Sequence, residues 1–250
     1  GRRPAGPVSR GTAGTVSRPA TDDRGAERLP EAPDPVPVSP RGVVVFTDRR
    51  LARRPLTDVV AAAVAGGVRW VVLREKDLPR PERAALAADL RAILADAGGT
   101  LIVAGADPLG GDAVHLPAAG PYPPPRVGLV GRSCHDRAEL ARLTVEDYAT
   151  VSPVYPTATK PGYGPPLGPD GLRALVHVSP VPLLALGGIT DERHVEECLH
   201  AGAVSVAVLG AIMRAADPAA AAAALTSAVH RVPGRIGGGS ASAETLRGAP

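Results

Sequence analysis

Eight short apolar runs rich in β-branched residues recur along the middle of the chain, at 43–47, 70–74, 101–104, 113–116, 127–131, 148–152, 182–186 and 205–209. Most are apolar along their whole length and do not alternate, which is the pattern of parallel strands covered on both faces. Ala/Leu-rich segments of helical period separate them. After the second run, Leu86, Leu90, Ile93 and Leu94 fall on one helical face, and Gly98-Gly99 can end that helix. After the seventh, Thr190 is expected as the N-cap, with Asp191 and Glu192 in the first turn and a stop near Gly202. The third helical segment, 107–111, is unusually short. Eight strands alternating with helices predict an α/β fold, a single-domain (β/α)8 TIM barrel over 41–231. An open, doubly wound sheet is the rival arrangement.

The flanks break this rhythm. Residues 1–40 hold eight prolines, six arginines and five acids, with no aromatic residue and no isoleucine. Such a stretch buries too little apolar surface to offset the entropy of ordering, so it is expected to be disordered. It has no apolar centre of the kind a secretory signal needs. Residues 232–250, with Gly237-Gly238-Gly239, read as a second disordered tail. The whole chain is 44% hydrophobic, enough for a core of Ala, Val and Leu. Its net charge of +3 is small and scattered, and aromatics make up 2%, so neither a basic nucleic-acid face nor a base-stacking platform is expected. Apolar runs are too short for a membrane span. Two cysteines exclude a disulfide framework and point to a reducing, cytoplasmic setting.

In such a barrel the site forms beyond the C-terminal ends of the strands. Those positions read Asp48, Arg74-Glu75-Lys76-Asp77, Gly105, Pro117, Ser133-Cys134-His135, Thr157-Ala158-Thr159-Lys160, Gly187-Gly188 and Gly210. Polar residues and glycines are ordinary in loops, so the lysines carry a sharper signal. Of 28 basic residues only Lys76 and Lys160 are lysines, and both follow strands. A compact ammonium suits a phosphate as a point charge. Gly187, Gly188 and Gly210 close the last two strands, the usual phosphate site of this fold, where backbone N–H groups can meet an anion. Tight turning alone would also place glycines there. His115 reads as a packed barrel histidine. Cys134 and His135 are neighbours on an extended segment and point to opposite sides, so they make no nucleophile–base dyad. Cys198 reads as core, and His194 and His200 as members of the outer helix ring. No Cys/His spacing resembles a zinc site. Asp48 reads equally as a turn residue or a substrate contact.

Four strings in register carry a family resemblance: Leu73-Arg74-Glu75-Lys76-Asp77, Gly131-Arg132-Ser133-Cys134-His135, Pro156-Thr157-Ala158-Thr159-Lys160 and Leu186-Gly187-Gly188-Ile189-Thr190. Together they resemble the thiamine phosphate synthase/TenI family across residues 42–230. That resemblance implies one of two activities on a phosphorylated thiazole. A synthase joins hydroxymethylpyrimidine diphosphate to thiazole phosphate, releasing pyrophosphate with the help of Mg²⁺. A TenI-type tautomerase shifts protons on a thiazole carboxylate phosphate and needs no metal.

Under the resemblance, Arg74, Lys76, Thr157, Thr159 and Lys160 match residues that hold a diphosphate, and Ser133 matches one near the pyrimidine and diphosphate. Three synthase features are absent. The usual Gln two before the Arg is Val72, the Asn-Asp pair after the third strand is Ala104-Gly105, and the carboxylate beyond the fourth strand is Gly120. Hard Mg²⁺ wants carboxylate oxygens. Asp107 would supply one only if its loop slips in register. Leu116-Pro117 with Gly120, and Gly131-Arg132-Ser133 with His135, look more like the tautomerase branch, where the matching His transfers protons. The expectation is therefore a metal-independent isomerase with no cofactor, His135 as general acid/base, and the thiazole phosphate docked at Gly187, Gly188 and Gly210. The alternatives are a synthase with an altered Mg²⁺ site and a non-catalytic phosphate-ligand binder. His115 stays a packing residue in each.

Overall fold

The computed structural model describes residues 39–157 and 165–233. The expected tails lie outside them, except that Ser39, Pro40 and Val232 are buried against the domain. The strands are β1 (Gly42–Phe46), β2 (Trp70–Leu73), β3 (Thr100–Ala104), β4 (Ala113–Leu116), β5 (Leu129–Cys134), β6 (Tyr148–Val151), β7 (Leu183–Leu186) and β8 (Ser205–Val208). All are parallel, each pairs with the next, and β8 returns to β1 through Val44↔Ala207 and Val45↔Val208, closing the barrel. The helices are α1 (Leu56–Ala65), α2 (Arg80–Ala95), α3 (Arg137–Leu140), α4 (Gly168–Val178), α5 (Glu192–His200), α6 (Gly210–Met213) and α7 (Pro218–Arg231). None of the described helices is long and apolar enough to cross a membrane.

Alternation along the strands makes two cores. Val43 and Val45 face the helices and join the outer layer with Leu90, Leu94, Leu172 and Leu199. Val44, Phe46, Val72, Ile102, Tyr148 and Leu184 fill the barrel. Tyr148 is the largest of these, and Gly131 on the neighbouring strand makes room for it: a Cβ there would fall 2.1 Å from the Tyr148 ring.

Three local expectations need correction. The fifth strand is 129–134, not 127–131, so Ser133 and Cys134 belong to the strand. Its polar Arg132 is fully buried, with Nε donating to Glu146 Oε1 at 2.6 Å and the other two nitrogens donating to the carbonyls of Pro117 and Pro121. The 107–111 segment is a turn, not a helix. Asp107 accepts from the Leu109 N–H, and Leu109 and Gly110 sit at φ 50° and 82°, which a helix does not tolerate. The N-cap of α5 is Asp191, not Thr190: its carboxylate accepts from the His194 N–H at 2.9 Å, and the Thr190 hydroxyl donates to that carboxylate.

Candidate active site at the barrel mouth

A cavity of about 560 Å³ opens at the C-terminal ends of the strands. Its wall includes Arg74, Lys76, His115, Ser133, His135, Thr157, Gly187, Gly188 and Gly210. The structure thus brings together every described residue singled out for anion binding or proton transfer. Thr159 and Lys160 lie outside the described residues.

The period of two in extended chain sorts the string after β2. Arg74 and Lys76 line the cavity. The intervening Glu75 is buried and turns away, accepting from the backbone N–H and the guanidinium of Arg49 at 3.1 Å each. Arg49 also makes a two-pronged contact with Asp77 at 2.8 Å, which holds the Asp77 carboxyl at about 2, well below the usual range. The turn is pinned from β1, where the Thr47 hydroxyl accepts from the Arg74 N–H at 3.0 Å.

The same alternation operates at the end of β5. Ser133 and His135 line the cavity, while Cys134 is buried in the outer core, where burial pushes its thiol up to about 12. No Cys–His dyad forms. His135 is oriented by Glu139 one helical turn later. The carboxylate oxygen Oε2 accepts from the His135 backbone N–H at 2.7 Å and sits 2.9 Å from its Nδ1. Asp136 fixes that turn by capping α3 through the Glu139 N–H. An imidazole anchored through Nδ1 at a cavity wall has the chemistry of a general acid/base.

His115 is more than packing. It is buried inside the barrel, edge-on to Phe46 and stacked on Tyr148. Its Nε2 is 2.9 Å from Ser133 Oγ and its Nδ1 is 3.2 Å from the Tyr148 hydroxyl. Burial, helped by the positive charges of Lys76, Arg132 and Arg74, lowers its pKa to about 3, so the ring is neutral at ordinary pH. A neutral imidazole donates from one nitrogen and accepts at the other, so the Tyr148–His115–Ser133 chain fixes the Ser133 hydroxyl at the cavity wall. Apolar flanks hid this role in the sequence.

Across the mouth, Gly187 and Gly188 turn at φ 97° and 70°. A Cβ on Gly188 would sit 2.5 Å from the Pro156 carbonyl and 2.6 Å from Tyr155 Cβ, so the loop after β7 presses directly on the loop after β6. Gly210 opens α6. Sequence reasoning missed Arg214, which also lines the cavity. The available signal was its spacing of four residues from Gly210.

The residues present do not fit a protein-held Mg²⁺. Among the described residues the cavity wall carries no carboxylate, and no cluster of three or more His, Cys, Asp or Glu could hold a metal. Asp107 is bound to Arg80 Nε at 2.7 Å and to its own turn. Asp48 closes a turn onto Arg50. Ala104, at the end of β3, offers no side-chain oxygen, and its carbonyl accepts from Arg83.

The family model for thiamine monophosphate synthase matches residues 43–212. A thiamine-phosphate synthase from Roseiflexus sp. is 36% identical, over 80% of this chain and 89% of its own. One from Moorella thermoacetica is 33% identical, over 77% and 97%. A solved thiamine phosphate pyrophosphorylase from Pyrococcus furiosus superposes with a TM-score of 0.66 at 26% identity, over 78% of this chain and 97% of that one. A closed barrel with its cavity at the strand ends, together with a match across 43–212, makes this chain a member of the thiamine monophosphate synthase family.

Proposed function

We propose that the protein is a transferase of the thiamine phosphate synthase type, joining hydroxymethylpyrimidine diphosphate to thiazole phosphate. The observation that carries this is one cavity that collects two kinds of anion-receptive group, the side chains of Arg74, Lys76, Ser133 and Thr157 and the glycine turns at Gly187, Gly188 and Gly210. Two phosphorylated substrates need two such sets. The thiamine-phosphate synthases at 33–36% identity support the same assignment, and support it over the proton shift expected from the sequence.

In this reaction the bond from the pyrimidine methylene carbon to the diphosphate oxygen breaks. The thiazole nitrogen supplies the electron pair for the new C–N bond, and pyrophosphate leaves. Negative charge builds on the leaving oxygen, so fixed cations aimed at it lower the barrier. Arg74 and Lys76 supply that charge, and Ser133, held by His115, and Thr157 supply hydroxyl donors. The apolar Phe46, Leu186 and Ile189 line the space for the rings and limit the access of water to the activated carbon.

One observation favours a second reading. His135 backed by Glu139, beside a cavity wall that carries no carboxylate among the described residues, suits a proton shuttle on a thiazole carboxylate phosphate. A paired assay separates the two. Pyrophosphate release from pyrimidine diphosphate plus thiazole phosphate, measured with and without Mg²⁺, is expected. Aromatisation of thiazole carboxylate phosphate without pyrophosphate release under either condition would overturn the transferase assignment.

A further inference from the structure

We propose that Arg214 is the side-chain partner of the substrate phosphate at the β7–β8 wall and selects a phosphomonoester over the corresponding uncharged alcohol. The identity of the ligand rests on the preceding section, whereas the phosphate role of Arg214 stands on geometry of its own. The helix α6 is only four residues long, so its aligned peptides give little dipole and its start alone is a weak anion site. A charge must come from elsewhere. Arg214 follows Gly210 by four residues, and its N–H donates to the Gly210 carbonyl at 3.1 Å, one complete turn. Side chains in a helix lean toward its N-terminus, so this one arrives over the first turn.

Gly210 makes room for it. A Cβ at that position would lie 2.7 Å from the nearest guanidinium nitrogen of Arg214. The guanidinium therefore lies directly over the Gly210 backbone, on the cavity side. No carboxylate among the described residues pairs with it, unlike Arg49, Arg80, Arg132 and Arg231, each of which has an acid within 3.1 Å. A planar fork in this position matches two phosphate oxygens at once.

Titration calorimetry on the full chain tests this with three probes: thiazole phosphate, the unphosphorylated thiazole alcohol and inorganic phosphate. Arg214→Gln is expected to weaken thiazole phosphate by about tenfold to a hundredfold, the range for one charge-assisted pair, and to leave the alcohol unchanged. Arg214→Lys should recover part of the loss, and Gly210→Ala, which displaces the fork, should lose affinity in the same selective way. Equal affinity of wild type and Arg214→Gln for the phosphate overturns the proposal, as does an equal loss for phosphate and alcohol. Arg214-dependent binding of inorganic phosphate without binding of thiazole phosphate would uphold the proposal and remove the thiazole assignment instead.

Discussion

Acid should weaken this protein through a residue inside the barrel. His115 is buried inside the barrel with a pKa near 3, whereas an unfolded histidine titrates near ~6.5. The folded pKa is depressed, and the group is a base. Its effect on stability is therefore absent above about pH 6.5 and grows as the pH falls toward 3, because the unfolded chain gains a proton that the native ring refuses. Each pH unit in that window costs about 1.4 kcal/mol. Between pH 7 and pH 5 the ring alone should remove about 2 kcal/mol, a large share of the ~5–15 kcal/mol stability of a typical domain. Urea unfolding of wild type and His115→Gln at both pH values isolates it. Glutamine carries no titrating proton, and the other histidines cancel in the difference. The variant is expected to lose about 2 kcal/mol less than wild type over the same interval, whatever its stability at pH 7. Parallel pH slopes for the two proteins would show that the ring protonates in the folded barrel, and the argument for a neutral imidazole fixing Ser133 would fall with it.

Other outcomes follow from single contacts. Arg132→Leu strands a buried Glu146 and frees two loop carbonyls, so a loss of about 3–5 kcal/mol is expected in denaturant titration. Gly188→Ala places a Cβ against the Pro156 carbonyl at a positive φ, so it should impair thiazole phosphate binding far more than Gly105→Ala, where the Cβ meets nothing within 4 Å although φ is also positive. His135→Ala should leave pyrophosphate release within a few-fold of wild type if the protein is a transferase, because no proton moves in that step; abolition of that release would show that His135 takes part in the transfer itself.

What could be seen without coordinates depended on whether burial was expressed locally. The strands 43–47, 70–74 and 205–209 were visible because they are apolar on both faces, and their neighbours in the barrel are sequential. The fifth strand was misplaced because Arg132 and Ser133 look like loop residues. Arg132 is satisfied by Glu146, fourteen residues away, and by carbonyls of the preceding loop, which no periodicity encodes. The cavity residues Arg74, Lys76, Ser133 and His135 were found because strand ends are where this fold exposes side chains. His115 looked like filler because its polar partners, Ser133 and Tyr148, come from two other strands. Arg214 went unseen because it sits beyond the strand end, and only the turn of α6 carries it back.

The charge at the mouth is best understood as the result of sorting, not of basic composition. Acids follow several strands, and for four of them an arginine holds the carboxylate off the cavity wall: Arg50 takes Asp48, Arg49 takes Glu75 and Asp77, and Arg80 takes Asp107. These are mostly exposed pairs that add little to stability. Their consequence is electrostatic. With those carboxylates turned outward, Arg74 and Arg214 face the cavity beside Lys76, and the local field favours polyanions although the whole chain carries only +3. A barrel that holds a departing diphosphate with its own cations has less need of a metal to neutralise it. The Mg²⁺ dependence of pyrophosphate release is therefore expected to be shallower here than in a relative that keeps carboxylates at the positions of Gly105 and Gly120. Steep dependence, with no turnover in chelator, would mean that the side-chain cations do not perform that neutralisation.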